Sequence, residues 1–297
     1  MSLSSRYHIA EAFASYFPAA EFPHYSAFLN ALGSALKQER RTFVTIIQRP
    51  HQSPPFEGVS SFVLKVYRYP FWPRIRTGFQ ISKAEREFKS LRYLNALGIG
   101  VAHAVGYGVE RDALGLVRSC FIITRLVDDS INLSQWYTEL QLETTVELRR
   151  VEHVFTELGR MFRRLHQARF FLFTAKSKNI LLRNAPDRAD ELFLIDLPYA
   201  RTLKWRLLAR WAQGRDIGVL FGNVTAALLD TAIEFFYRAY LPDPLGLPAE
   251  TVRRNALRQM RAKQNHTLIS RSVNEIKRRL VGKGAMTLLV LAEIAYG

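Results

Sequence analysis

Cysteine, acidic residues and long apolar runs are all scarce in this chain, and each shortage excludes something. The single cysteine, Cys120, rules out an internal disulfide and a multi-cysteine zinc site. Its setting in the apolar run Cys120-Phe121-Ile122-Ile123 reads as a buried structural thiol and not as a nucleophile. The longest apolar run near the C-terminus, Met286 to Ala292, falls far short of the roughly 20 residues a spanning helix needs. Near the N-terminus Glu11 and Pro18 break the apolar residues before a secretory leader could form. The 7 histidines contain no His-Glu-x-x-His spacing, which argues against a metalloprotease-type zinc site. These absences lead to the expectation of a soluble or peripheral cytoplasmic protein. With 26 Asp and Glu against 42 Lys and Arg, the formal charge of +16 calls for a polyanionic neighbour: nucleic acid, an anionic membrane or a phosphorylated glycolipid.

What is present is a change of pattern along the chain. Short β-branched and aromatic runs from Phe43 to Ile47 and from Ser61 to Tyr67 flank a turn region at Pro50 to Gly58, predicting a hairpin. From Lys83 to Leu97 the apolar residues Ala84, Phe88, Leu91, Leu94 and Leu97 recur at helical spacing up to Gly98. Ser82 is placed to cap that helix, with Glu85 as its capping-box partner. Two further strand-like runs follow, around Val101 to Val109 and Val117 to Thr124, and then a polar segment from Arg125 to Ser134. Val151, Val154, Phe155, Leu158, Met161, Phe162 and Leu165 form one stripe of a long helix. After it come a loop, a short hairpin around Arg183 to Glu191, and a largely helical remainder from Asp216 onward.

The chemistry-bearing residues sit in that loop and the strand after it, Phe171-Leu172-Phe173-Thr174-Ala175-Lys176-Ser177-Lys178-Asn179 and Leu194-Ile195-Asp196. In the kinase pattern H-R-D-x-x-x-x-N, the Asn binds Mg²⁺ and the Asp five residues earlier accepts the substrate's hydroxyl proton. Counting back from Asn179, that position holds Thr174, preceded by Leu172 and Phe173 in place of His and Arg. The metal-binding end of the motif is present and the proton-accepting end is gone.

The order and spacing of "FVLKVYRYP", "KAEREFKSLRYLNALGIGV", "LHQARFFLFTAKSKNILL", "LFLIDL" and "GRDIGVLF" resemble the bacterial lipopolysaccharide core kinases that phosphorylate Kdo or heptose, over roughly Phe43 to Leu241. The resemblance implies an α+β, bilobal protein-kinase-like fold, with a β-rich N-lobe over residues 1–127 and a helical C-lobe over 128–297. It implies ATP and Mg as cofactors. Lys65 is then the lysine that grips the α- and β-phosphates, and Glu87 its ion-pair partner, with Glu85 as the rival carboxylate. Asn179 and Asp196 would hold the metal. Lys176 matches a lysine that touches the transferred phosphate, and Asp216 an aspartate that hydrogen-bonds the catalytic-loop backbone. Asp216 could equally be a plain carboxylate favoured at a helix N-terminus. His166 reads as a packing residue. The phosphate-covering loop departs from the pattern, since Gly58 is the one glycine between Phe43 and Lys65.

Losing the general base slows phosphoryl transfer by about 10²–10⁴-fold, so an impaired kinase and an enzyme using another base both stay open. Arg201, Lys204, Arg206 and Arg210 are interleaved with Trp205, Trp211 and leucines. A basic, tryptophan-bearing helix suits an anionic membrane surface, though an ordinary amphipathic C-lobe helix with solvated charges has the same spacing. A second basic and aromatic cluster spans Tyr67 to Arg76. The resemblance points both toward a phosphorylated glycolipid at the inner membrane leaflet. A scaffold that binds a partner protein and a nucleic-acid-binding module are the rival classes. The second lacks any helix-turn-helix, zinc-finger or RRM signature.

Overall fold

The computed structural model describes residues 4–18, 20–22, 24–25, 42–50, 59–70, 74–75, 77, 80–140, 145–183, 190–222, 224 and 226–261. The turn at Pro50 to Gly58 beyond its first residue, most of the Tyr67 to Arg76 cluster from Phe71 on, and Met286 to Ala292 lie outside them.

The first half is an antiparallel sheet of β1 (Ser4–Ile9), β2 (Thr42–Pro50), β3 (Val59–Arg68), β4 (Ala104–Arg111) and β5 (Val117–Arg125), in the order β1-β4-β5-β3-β2. Strand alternation divides its side chains between two cores. Phe62, Leu64 and Val66 join Val105, Phe121 and Ile123 under the N-terminal Phe17, Phe22 and Tyr25. On the other face Tyr67, Cys120 and Ile122 meet the buried stripe Ala84, Phe88, Leu91 and Leu94 of α1 (Lys83–Ala96). Ser82 Oγ accepts from Glu85 N at 3.1 Å, and Gly98 takes φ +68° after the last turn, where a side chain would be strained. Cys120 is free and buried, and burial pushes its thiol above the usual range.

The second half comprises β6 (Ser130–Asn132), α2 (Leu133–Glu139), α3 (Thr145–Gln167), β7 (Phe170–Phe171), β8 (Ile180–Arg183), β9 (Glu191–Leu194), β10 (Arg201–Thr202), α4 (Arg206–Phe221), α5 (Ala226–Tyr240) and α6 (residues 249–261). β6, β8 and β9 form one small sheet, and β10 pairs with β7. The entire α3 stripe from Val151 to Leu165 is buried against α5 and its neighbours.

Three elements differ from the sequence expectation. β1 pairs with β4, which lies far along the chain, and such a contact has no local signal. α2 begins at the end of the polar segment Arg125 to Ser134 and has no counterpart in the sequence reading. Asn132 caps it by accepting from Gln135 N at 2.9 Å, and Leu133, Trp136 and Tyr137 bury one face. The basic helix expected around Arg201 to Trp211 and the helix expected to open at Asp216 are one element, α4, so Asp216 lies well inside it and is not an N-terminal carboxylate.

Candidate nucleotide site

Lys65 projects from β3 between its register partners Val44 and Ile122, on the sheet face that looks toward α1. Its ammonium contacts Asp196 Oδ1 and lies 3.8 Å from Glu87 Oε2. Glu87 is buried on α1, where Tyr67 Oη donates to Oε2 at 2.8 Å and Leu197 N to Oε1 at 3.3 Å. Burial pushes the Glu87 carboxyl above the usual carboxylate range, while the nearby Lys65 charge acts in the opposite direction. Glu85, the rival carboxylate, faces elsewhere and binds Lys89 at 2.8 Å and Arg6 at 2.9 Å.

The loop below the cleft is held from behind. Asp216, fully buried in α4, accepts from Leu172 N through Oδ2 and from Phe173 N through Oδ1, both at 2.7 Å. Phe173 is thereby kept at φ +59°, a left-handed conformation costly for an aromatic residue. His166 stands behind the carboxylate, with Nε2 3.6 Å from Asp216 Oδ2 and Nδ1 2.8 Å from Tyr240 Oη, fully buried and stacked on Phe171. Thr174 is half-buried with Oγ1 3.5 Å from Leu172 O. Asn179 donates Nδ2 to Thr174 O at 3.4 Å, and its carbonyl accepts from Ile195 N at 2.9 Å. That last bond ties the loop to Asp196, whose φ of +58° turns its carboxylate away from the strand path. Lys176 is exposed.

Lys65, Glu87, Asn179 and Asp196 converge on a cavity of about 980 Å³ between the two halves of the molecule, and Thr174, Lys176 and Asp216 are not among its lining residues. Val44, Val63, Ala102, Ile122 and Leu181 give it apolar walls, the connection from Arg125 to Ser130 closes its back, and Lys65, Glu87, Asn179 and Asp196 supply its polar end. An apolar slot that ends in a lysine, a carboxylate and an amide fits the chemistry of a magnesium nucleotide, because the base needs a dry slot and the metal needs hard oxygen ligands. Among the described residues no three His, Cys, Asp or Glu side chains gather as a metal cage. Lys178 also lines the cavity and escaped the sequence reading, since a charged residue in a polar loop carries no positional signal.

The basic segment after Asp196 is split between a strand and a helix. Arg201 lies in β10, Lys204 and Trp205 precede α4, and Arg206, Arg210 and Trp211 belong to it. Trp205 is 77% exposed and Leu207 78%, with Leu208 and Trp211 also exposed, while Ala209 and Ala212 pack underneath on Phe171 and Leu245. An amphipathic helix ordinarily turns its large apolar residues inward; the first turns of this one bury Ala209 and Ala212 instead, while its second half buries Ile217, Leu220 and Phe221 in the usual way. The patch runs up to the catalytic-type loop. The Arg201 guanidinium lies 4.8 Å from the Phe173 ring, Trp211 stands 6.1 Å from the same ring, and Arg215 Nε donates to Phe173 O at 3.2 Å. Of the second basic cluster, Arg74 is described and is 3.6 Å from Asp112. Among the described residues no helix is long and apolar enough to cross a membrane.

No curated protein matches the chain. Among solved structures it is similar to WaaP in complex with acyl carrier protein, at 18% identity and a TM-score of 0.57 over 88% of this chain and 98% of that one. It is also similar, at 15% identity and a TM-score of 0.40 over 72% of this chain and 89% of that one, to the Mycobacterium tuberculosis PknI kinase domain as a double mutant. The first likeness shows a protein-kinase-like α+β fold. The family model described as Lipopolysaccharide kinase (Kdo/WaaP) family matches residues 58–240, more than half of the sequence, and the chain therefore belongs to that family.

Proposed function

We propose that the protein holds Mg-ATP in the cavity between its halves and works on or beside a phosphorylated glycolipid at the inner membrane leaflet, with its transfer step impaired at Thr174. The observation that carries this reading is the meeting of Lys65, Glu87, Asn179 and Asp196 at one end of an apolar-walled cavity. The bound nucleotide would supply the transferable phosphoryl group and its metal the charge that neutralises it. Glu87, fixed by Tyr67 and Leu197, orients the Lys65 ammonium toward phosphate oxygens. Asp196 and Asn179 offer oxygen ligands to the metal. Lys176, exposed in the same loop, would contact the transferred phosphate.

Thr174 has a hydroxyl that is no base near neutral pH. The carboxylate that touches this loop, Asp216, is buried behind it and occupied by two backbone N–H groups. The exposed Trp205, Leu207 and Trp211, ringed by Arg201, Lys204, Arg206 and Arg210, adjoin Phe173 and so offer an anionic lipid surface a seat next to the reacting position. The missing carboxylate favours one second reading, a kinase-fold scaffold that binds a protein. The WaaP structure with acyl carrier protein makes such a partner concrete.

The test is transfer of labelled phosphate from Mg-ATP to lipopolysaccharide-containing vesicles. Wild type should be slow and Thr174→Asp faster by up to about 10²-fold, the low end of general-base effects. A marked loss of activity in Thr174→Ala, with stability preserved, would mean that Thr174 itself takes part. No transfer in any variant, together with no nucleotide binding, would leave the scaffold.

A further inference from the structure

A second cavity, of about 360 Å³, is walled by Tyr67 and the end of β3, the start of α1 and Tyr199 after the Asp196 segment, and Lys65 is not among its lining residues. Three cations line it, Arg68, Lys83 and Arg86, and its described lining contains no aspartate or glutamate. The Lys83 ammonium stands 5.6 Å from the Tyr67 ring, 5.8 Å from Tyr69 and 5.2 Å from Tyr199, and no carboxylate lies within ion-pair distance of it among the described residues. Arg86 donates one N–H to Pro198 O at 3.4 Å, which leaves most of its guanidinium for another acceptor. Lys83 and Arg86, set around a concave space among hydroxyl-bearing side chains, are arranged to receive an anion. The aromatic walls suit the ring of a sugar more than a bare ion.

We propose that this cavity is a binding site for a phosphate monoester, carried either on a small phosphosugar or on a lipid headgroup, and separate from the nucleotide cavity. Lys83 and Arg86 supply the charge-assisted contacts, and Tyr69 and Tyr199 the flat walls. The site is joined to the cleft by Tyr67, whose ring lies 5.0 Å from the Lys65 ammonium and whose hydroxyl holds Glu87. An occupant against Tyr67 and α1 therefore touches the elements that orient Lys65. The assignment does not depend on what the cleft binds, since it rests on the lining of this cavity alone.

Isothermal titration of the full chain with glucose 6-phosphate, with glucose as control, tests the soluble source. Flotation with neutral vesicles, with and without phosphatidic acid, tests the lipid source. Each is run on wild type, on Lys83→Gln/Arg86→Gln and on Lys65→Ala, with circular dichroism to confirm folding and single Lys83→Gln as the milder variant. The expected result is saturable binding of a phosphate-bearing probe in at least one arm, none of glucose, at least a tenfold weakening in the double variant, and binding retained in Lys65→Ala. Binding in the soluble arm assigns a phosphosugar; binding in the vesicle arm alone assigns a headgroup where the Lys83/Arg86 variant weakens it, and vesicle binding that this variant leaves unchanged belongs to the Arg201 to Trp211 surface and overturns the site. Absence of binding in both arms overturns the site. So does binding that Lys65→Ala abolishes and the Lys83/Arg86 variant keeps, because that phosphate would sit in the nucleotide cavity.

Discussion

Replacing Asp216 by alanine removes the acceptor of two backbone N–H groups at once, Leu172 N and Phe173 N, each 2.7 Å away. A buried donor left without a partner costs about 1–3 kcal/mol, so the gross penalty is about 2–6 kcal/mol. Part of it is offset, since the carboxylate's own burial cost disappears and the space left can admit water. We expect a net loss of about 3 kcal/mol, which for a domain of this size lowers the unfolding temperature by roughly 6–12 °C. The substitution Asp216→Asn keeps one acceptor oxygen and sets an amide N–H against the other backbone donor, so it should lose about half as much. Urea unfolding of wild type and both variants measures these differences, and hydrogen exchange at the Leu172 and Phe173 amides reports the loop directly. Release of Phe173 from its left-handed conformation should speed exchange at both amides. An alanine variant within about 0.5 kcal/mol of wild type, with both amides still protected, would refute the view that Asp216 holds this loop.

The remaining expectations concern the surface, the ion pair and the loop threonine. Replacing the exposed Arg201, Lys204 and Arg206 by alanine should weaken binding to anionic vesicles by about 3 kcal/mol at low salt, at about 1 kcal/mol per basic residue, read by flotation; unchanged flotation would return the segment to an ordinary packed helix. Trp205→Ser/Leu207→Ser should reduce the part of that binding that survives high salt, since apolar insertion is not screened. Burial raises the Glu87 carboxyl in the folded state, so the folded protein binds more protons than the unfolded chain as pH climbs out of the ordinary carboxylate range. Its contribution is therefore greatest below the unfolded pKa and is lost as pH rises toward the folded one. Glu87→Gln should flatten that decline in a series of urea titrations, and an unchanged pH profile would contradict it. For Thr174, the alanine variant should match wild type in transfer rate and the aspartate variant should exceed it.

Much of the fold is written in local pattern. Ser82, Glu85 and the Ala84 to Leu94 spacing mark α1, and the stripe from Val151 to Leu165 marks α3, because a single buried face leaves its period in the sequence. β1 was hidden for the opposite reason: Ser4 to Ile9 becomes a strand through pairing with Ala104 to Arg111. The helical character of the basic segment that opens α4 was legible, but not the outward turn of Leu207, Leu208 and Trp211 while Ala209 and Ala212 pack, since spacing alone does not say which face is buried. At the site, the order of Lys65, Glu87, Asn179 and Asp196 was legible as a motif, whereas their convergence across 131 residues between Lys65 and Asp196 required coordinates. Tyr67 was read as part of a basic and aromatic cluster, and its hydroxyl bond to Glu87 has no sequence signature. Lys83 and Arg86 look like solvated helix charges until the cavity beside them is seen.

The central claim is that the cleft holds a magnesium nucleotide through Lys65 and Asp196. Isothermal titration of the full chain with ATP, with and without Mg²⁺, tests it most directly when run beside Lys65→Ala and Asp196→Asn. Saturable binding that strengthens with Mg²⁺, weakens at least tenfold in Lys65→Ala and loses its Mg²⁺ dependence in Asp196→Asn is the predicted result. No binding by wild type, or binding that neither substitution changes, would contradict the account.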